Sequence, residues 1–171
     1  MKLSSFEAIV GALQDAGVRY LVAGGLAVSA HGYLRFTKDV DLVLQLAPGN
    51  IERAFGALAS LGYRTQVLIS AGQFANPDLR AAWIRDKGMV VLKFWSDAHR
   101  ETPVDVFVTE PFDFDAEFER ALIKPLHGAL PVRFVSIPTL IRMKEAAGRS
   151  QDKIDVEYLR IRLEQDEQKR S

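Results

Sequence analysis

Residues 21–42, with the sequence LVAGGLAVSAHGYLRFTKDVDL, decide the fold of this chain. A short apolar stretch over 18–23 ends at two glycines, Gly24 and Gly25, and residues 26–34 then predict a helix. Residues 39–45 alternate between apolar and polar side chains, which is typical of a strand. Because consecutive strands usually lie side by side in a sheet, we expect the glycine turn and the second strand to be neighbours.

Outside this stretch the pattern is α/β over the first two-thirds of the chain and helical at the end. Apolar periodicity predicts helices over 4–16, 51–61, 115–122, 138–147 and 151–165, and a short one from Pro77. Further strands are predicted over 63–69, 89–95, 104–108 and 132–135. Ser4 and Glu7 fit a capping box at the first helix. We expect one globular unit, with an α/β core over 1–135 and C-terminal helices over 136–171 packed on it.

Composition and charge exclude several classes of protein. The 171 residues are 48% hydrophobic and 26% charged, with 22 basic and 22 acidic side chains. A balanced charge disfavours a general coat for nucleic acid. The absence of cysteine excludes disulfide scaffolds, thiolate zinc sites and cysteine nucleophiles. The first residues lack the apolar core of a secretory signal and no apolar run is long enough for a membrane helix, so we expect a cytoplasmic protein with no membrane partner.

Asp39 and Asp41 carry the strongest chemical signal. Carboxylates at i and i+2 of a strand share one face, where their like charges repel unless a cation lies between them. A divalent ion such as Mg²⁺, which prefers oxygen ligands and substrate phosphates, relieves that repulsion. Alone, however, such a pair in a strand is weak evidence, because two acids at this spacing more often simply face water.

Two neighbouring features favour the metal site. Gly24 and Gly25 allow close approach of a ligand to the backbone, and the helix that follows offers free N–H groups to phosphate, although a plain tight turn has the same sequence. Asp105 lies between valines in a predicted strand, where an acid is unusual. An exposed face or an ion pair would explain Asp105, and a third metal ligand that completes a two-metal site would explain it as well.

Motifs of other nucleotide-binding and hydrolytic proteins are missing. The chain has no P-loop motif, no Gly-x-Gly-x-x-Gly after a strand and no Gly-x-Ser-x-Gly elbow.

The segment from Leu21 to Leu42 resembles the core motif of the nucleotidyltransferase superfamily, in the branch of minimal nucleotidyltransferases and AbiEii-type toxins. Gly24 and Gly25 match its glycine turn. Arg35, Thr37, Asp39 and Asp41 match its Arg-x-Thr-x-Asp-x-Asp run, and Asp105 is the expected third carboxylate. Residues 140–155 also resemble this branch, whereas residues 63–100 match nothing in it.

The resemblance implies a mixed, partly parallel central sheet flanked by helices, with a helical C-terminal part closing a cleft. It also implies transfer of a nucleoside monophosphate from an NTP to an acceptor, with release of pyrophosphate. Two Mg²⁺ or Mn²⁺ ions would assist. One, held by Asp39, Asp41 and Asp105, would activate the acceptor oxygen, and the other, held by Asp39 and Asp41, would hold the triphosphate.

Further residues take roles from the same resemblance. Lys144 is the candidate to contact the triphosphate as a point charge, although its helical spacing also fits a solvated surface lysine. Arg35 and Thr37 would orient the aspartate segment or contact phosphate. Arg149 and Asp152, three residues apart on one helical face, are interpreted as a structural ion pair.

Three functions remain open at this stage. The first is a metal-dependent nucleotidyltransferase acting on RNA, protein or a small molecule, and serving as the toxin of a toxin–antitoxin system with an antitoxin protein as partner. The second is a non-catalytic nucleotidyltransferase-like binding or antitoxin module. The third, aminoglycoside nucleotidyl transfer, differs from the first in the acceptor alone. Retention of the paired aspartates favours an active enzyme, because a decayed site has little reason to keep two like charges together.

Overall fold

The computed structural model describes residues 1–127 and 130–170, which form eight helices and seven strands. The helices are α1 (Leu3–Asp15), α2 (Gly24–Ala30), α3 (Pro48–Ser60), α4 (Ala71–Ala75), α5 (Pro77–Lys87), α6 (Phe114–Arg120), α7 (Ile137–Ala147) and α8 (Ser150–Arg170). The strands are β1 (Tyr20–Val22), β2 (Val40–Leu44), β3 (Arg64–Thr65), β4 (Val91–Trp95), β5 (Val104–Phe107), β6 (Leu122–Leu126) and β7 (Leu130–Phe134).

The strands form one mixed sheet in the order β3-β4-β5-β2-β1-β7-β6. The central strand β2 pairs antiparallel with β1 and parallel with β5. On the far side of β1, β7 is added in parallel and β6 pairs antiparallel with β7. The predicted mixed α/β architecture with C-terminal helices is therefore confirmed, as is the predicted adjacency of the first two strands.

Side-chain alternation along β2 and β5 places core residues on one face of the sheet and acidic residues on the other. Val40, Leu42, Val104 and Val106 are fully buried. The residues between them in sequence point to the opposite face of the sheet, because successive side chains of a strand alternate. That opposite face therefore carries the acidic residues of both strands.

Several elements differ from their prediction, and the strand expected over 63–69 is limited to Arg64–Thr65. The helix expected over 26–34 begins at Gly24 and ends at Ala30, and Gly32 beyond it has φ +108°, a conformation that interrupts a helix. The strand β6 was not predicted, and its first residue, Leu122, was assigned to the preceding helix, which ends at Arg120. The last helix continues past residue 165 to Arg170, since its closing residues are mostly good helix formers.

The start of α1 also differs. The helix begins at Leu3 after Lys2, and no side chain caps it, so the predicted Ser4–Glu7 capping box is wrong. A tertiary contact holds this end instead, because the backbone N–H of Lys2 donates to Thr102 Oγ1 at 2.9 Å.

The predicted division at residues 135 and 136 falls between β7 and α7 and stays a prediction. Its upper limit, Ser171, lies outside the described residues. None of the helices in the described part of the chain is long and apolar enough to cross a lipid bilayer.

Candidate functional site

Three neighbouring strands place one charged residue each in a row across the sheet. Asp41 of β2 is the register partner of Asp105 on the parallel strand β5. Asp105 is in turn the register partner of Lys93 on the antiparallel strand β4. Residues in register share a face, so Lys93, Asp105 and Asp41 lie side by side. Asp39 lies directly before β2, where its charge acts on Asp41.

Gly24 brings the backbone against Asp41. A Cβ atom built on Gly24 would lie 1.9 Å from Asp41 Oδ2, and the residue has φ +60°. Both the missing side chain and the left-handed backbone therefore require glycine here. The backbone N–H of Ala23 also donates to the carbonyl oxygen of Asp41 at 2.9 Å. The glycine turn and the carboxylate are thus packed in direct contact, as the sequence predicted for neighbouring strands.

Gly25 accommodates the segment that leads into β2. A Cβ atom at Gly25 would lie 2.8 Å from Arg35 Nη2 and 2.9 Å from Thr37 Cβ. Thr37 Oγ1 also donates to the carbonyl oxygen of Asp39 at 3.4 Å. Arg35 and Thr37 therefore pack on the first turn of α2, beside the free N–H groups of that helix end.

Negative charge is in excess at this face. Burial, and then the charges of Asp105 and Asp39, raise the pKa of Asp41 to about 6. Burial likewise raises the pKa of the Asp105 carboxyl, although Lys93 opposes the shift. A bound cation would oppose both pKa shifts, since a nearby positive charge favours the ionised carboxylates.

The carboxylates have the donor chemistry of a magnesium site, because all of their ligand atoms are oxygens and their charge is not balanced. As placed, the Asp105 carboxylate contacts Lys93, with Nζ at 2.8 Å from Oδ2 and 3.1 Å from Oδ1. Within residues 1–127 and 130–170, no three histidine or acidic side chains converge on one point as a metal site. The residues fit a divalent ion by chemistry and position, and their role as its ligands stays a prediction.

Lys144 differs from the surface lysine that its spacing allowed. Its side chain is 6% exposed, and its ammonium lies 2.9 Å from Asp152 Oδ1 and 2.9 Å from Asp155 Oδ2. Arg149 donates from Nε to Asp152 Oδ2 at 2.8 Å, which confirms the predicted ion pair. The positive charges of Lys144, on α7, and of Arg149, between α7 and α8, both lower the pKa of Asp41, against the larger effects that raise it.

Asp155 connects this network to the glycine turn. Its Oδ1 atom lies 3.2 Å from Arg35 Nε, and the Asp155 side chain is fully buried. Gln151 Nε2 donates to the same oxygen at 3.1 Å. Arg35, which also packs on Gly25, therefore joins α2 to α8.

Sequence reasoning missed Lys93 and the contacts of Asp155. The overlooked signal for Lys93 was the alternation of side chains along its strand. In the apolar stretch 91–95 it stands as the lone charged residue, on the face opposite to the buried Leu92 and Phe94. Trp95 follows on the same face as Lys93, is 40% exposed, and is covered by the guanidinium of Arg64 at 4.4 Å from the ring centroid.

The arrangement defines a class of fold: a mixed sheet whose glycine turn abuts an aspartate strand, with helices closing over it. The solution structure of the antibiotic-resistance factor ANT(2'')-Ia, an aminoglycoside nucleotidyltransferase, has a TM-score of 0.56 to this chain at 15% identity, over 95% of this chain and 84% of that chain. The crystal structure of ANT(2")-Ia in complex with adenylyl-2"-tobramycin gives 0.55 at 13% identity, over 91% and 85%.

These likenesses show a nucleotidyltransferase-like fold. No family model matches the sequence, and no curated protein matches it either. The predicted AbiEii branch is accordingly carried by the sequence resemblance alone.

Proposed function

We propose that this chain is a metal-dependent nucleotidyltransferase. The observation that carries the proposal is the contact of Gly24 with the Asp41 carboxylate, in register with Asp105 on the next strand. This contact brings free backbone N–H groups, which suit phosphate, beside carboxylates, which suit Mg²⁺. The nucleotidyltransferase fold of the structural neighbours supports the same function.

Along the sheet, one group of residues is placed to bind the nucleotide and another to bind the acceptor of the transferred group. Gly24, Gly25, Arg35 and Thr37 surround the start of α2, where the triphosphate would bind. Lys144 and Arg149 bring positive charge to Asp41 from the side of the C-terminal helices. Asp105 lies one strand further from the glycine turn, and we place the acceptor there.

In the transfer step, the acceptor oxygen forms a bond to the α-phosphorus while the bond from that phosphorus to the bridging α–β oxygen breaks. Pyrophosphate leaves with that oxygen, and the acceptor proton passes to the Asp105 carboxylate. Bound Mg²⁺ or Mn²⁺, two ions by the resemblance, would be held by Asp39, Asp41 and Asp105 and would neutralise the phosphate charge. Such a transition state requires charge placement more than covalent chemistry from the protein.

The acceptor is an RNA, a protein or a small molecule. The ANT(2")-Ia structure holds adenylyl-2"-tobramycin, so an aminoglycoside belongs among the acceptors tested. By the sequence resemblance we also propose a role as the toxin of a toxin–antitoxin system, inhibited by an antitoxin protein. The competing function is a nucleotide-binding or antitoxin module without turnover.

Nucleotide binding and transfer are measured separately. Thermal unfolding with Mg²⁺ and each of the four NTPs should show stabilisation by at least one of them, because a ligand that binds only the folded state raises its stability. Incubation with α-labelled NTPs and total tRNA, protein or aminoglycosides should then transfer label. Asp39→Asn and Asp41→Asn should abolish the transfer.

The matched control is Asp86→Asn, which makes the same charge change at an exposed ion pair with Arg85. It should transfer label at the wild-type rate. Stabilisation without transfer to any acceptor would favour the binding module, and label transfer by both site variants would contradict the proposed residues.

A further inference from the structure

The ammonium of Lys93 contacts both oxygens of the Asp105 carboxylate. Its Nζ atom lies 2.8 Å from Asp105 Oδ2 and 3.1 Å from Oδ1. The Lys93 side chain is 52% exposed and that of Asp105 is 9% exposed. The lysine thus reaches from solvent to a carboxylate that is almost enclosed by the protein.

The position of Lys93 is imposed by strand pairing. It is the register partner of Asp105 on β4, while Asp41 is the register partner of Asp105 on the opposite side, β2. One positive and two negative side chains therefore stand in a row on three strands. A register pair of this kind keeps the two side chains within reach of each other.

An ammonium and a divalent ion compete for the same carboxylate lone pairs. Lys93 contributes one positive charge through hydrogen bonds, whereas Mg²⁺ or Mn²⁺ contributes two through direct coordination. A Lys93 that contacts both oxygens of Asp105 must move before an ion can coordinate them fully. Asp39 and Asp41 have no such partner to displace among the ion pairs of the described residues.

We propose that Lys93 is a positioning residue that competes with the second divalent ion for Asp105. It holds the third carboxylate in place before that ion arrives, so the two ions bind with unequal affinity, first at Asp39 and Asp41 and later at Asp105. This inference rests on the proposed nucleotidyltransferase function and deepens it.

The test counts bound Mn²⁺ by electron paramagnetic resonance of the free ion, in the presence of non-hydrolysable α,β-methylene analogues of the four NTPs. Wild-type protein should show one tight and one weak ion. Lys93→Met should tighten the weak ion by about tenfold or more, because it removes a charge-assisted competitor. Lys93→Arg retains the competing charge and should leave two unequal ions.

A double-variant cycle separates competition for Asp105 from a general change of charge. Asp105→Asn and the combined Lys93→Met/Asp105→Asn variant should bind the first ion with the same affinity, since Lys93 acts through Asp105 alone. A thermal unfolding curve for each variant establishes that it is folded.

The possible results distinguish failure of this inference from failure of the proposed function. Equal affinity of the second ion in wild type and Lys93→Met overturns the inference, and so does an effect of Lys93→Met that persists with Asp105→Asn. These outcomes leave the proposed function standing. Failure of wild-type protein to bind any Mn²⁺ with any analogue would instead overturn the proposed function, and this inference with it.

Discussion

At the scale of single residues, Gly24 is a position where both the available space and the backbone conformation require glycine. Its Cβ position coincides with the space filled by the Asp41 carboxylate, and its φ of +60° is one that other residues adopt at a cost. Gly11, in the interior of α1, has open space around its Cβ position and no positive φ. The two glycines therefore respond in opposite ways to the same change.

Gly24→Ala is expected to lower the free energy of unfolding by about 1–2 kcal/mol from backbone strain alone, and to displace Asp41. Stabilisation by NTP and Mg²⁺ should then disappear. Gly11→Ala, the matched control, should raise the free energy of unfolding by about 0.5–1 kcal/mol, because alanine favours the helix. Chemical denaturation measures both, and a Gly24→Ala protein with wild-type nucleotide response would contradict the close contact.

Lys144 is a candidate nucleotide-binding residue that also belongs to a buried network of ion pairs. Its ammonium lies between two buried carboxylates, Asp152 and Asp155. Removing one partner from a buried charge cluster is more damaging than removing a balanced pair. Loss of activity in a single Lys144 variant would therefore say little about nucleotide binding.

Lys144→Met is expected to lower the free energy of unfolding by about 3–5 kcal/mol. The double variant Lys144→Met/Asp152→Asn removes one charge of each sign, leaves Asp155 paired with Arg35, and frees only Arg149, whose side chain is largely exposed. It should recover most of the lost stability. If Lys144 also contacts the triphosphate, the double variant will fold but gain no stability from nucleotide and Mg²⁺. A Lys144→Met protein as stable as wild type would contradict the buried network.

At the scale of elements, a buried acid joins α6 to the start of α7. Glu117 is fully buried and accepts hydrogen bonds from the Ser136 backbone N–H at 2.6 Å and from Thr139 Oγ1 at 2.7 Å. Arg120 Nε donates to the same carboxylate at 2.5 Å. Burial opposes ionisation, but these hydrogen bonds outweigh it and lower the pKa of Glu117 below its usual 4.5.

The lowered pKa makes part of the stability dependent on pH. The unfolded state takes up a proton first as the pH falls through 4.5, so the contribution is complete above that value and is lost progressively below it. Glu117→Gln should lower the free energy of unfolding at pH 7 by about 1–3 kcal/mol and flatten its decline in acid. Denaturation at several pH values measures this, with Glu119→Gln, exposed on the same helix, as control. An unchanged acid slope in Glu117→Gln would contradict the assignment.

The central strands could be predicted from alternation, because Val104 and Val106 of β5 flank Asp105 and are fully buried, as are Val40 and Leu42 on either side of Asp41 in β2. The edge strand β6 could not. It contains Pro125 and mostly exposed residues, so its strand conformation depends on pairing with β7. The start of α1 escaped prediction for a similar reason, since Thr102, a hundred residues away in sequence, replaces a local cap.

The candidate site, like the fold, could be predicted only in part from the sequence. Its motif residues, Gly24, Gly25, Asp39 and Asp41, lie close together in the sequence. Asp105 was expected as the third carboxylate from its position between valines and from the resemblance, and the structure places it in register with Asp41. The partners Lys93 and Asp155 depend on register and helix packing, which one sequence pattern does not specify.

At the scale of the whole molecule, α8 is fastened to the core beside the glycine turn. Tyr158 of α8 stacks on Tyr33, with ring centroids 3.7 Å apart and planes at 10°. The Arg35–Asp155 ion pair lies on the same two segments. The C-terminal helices are thus held to the segment that contains the candidate phosphate-binding residues.

Tyr158→Ala is expected to loosen α8 and cost about 1 kcal/mol beyond the loss of buried area. Backbone amides over 150–170 should then exchange with deuterium faster than in wild type. Tyr158→Phe, which retains the stacked ring, should keep wild-type exchange. Slow exchange throughout α8 in the alanine variant would show that the stack does not hold the helix.

The pairing of β1 with β7 has a consequence for how the protein is made. This parallel pair joins residues 22 and 134, and the β2–β5 pair joins residues 41 and 105. Contacts so distant in sequence form late and slowly, because long loops must close first. A nascent chain still short of residue 105 carries the glycine turn, Asp39 and Asp41 but lacks Asp105, so the acidic face of the sheet cannot assemble until most of the chain has been synthesised.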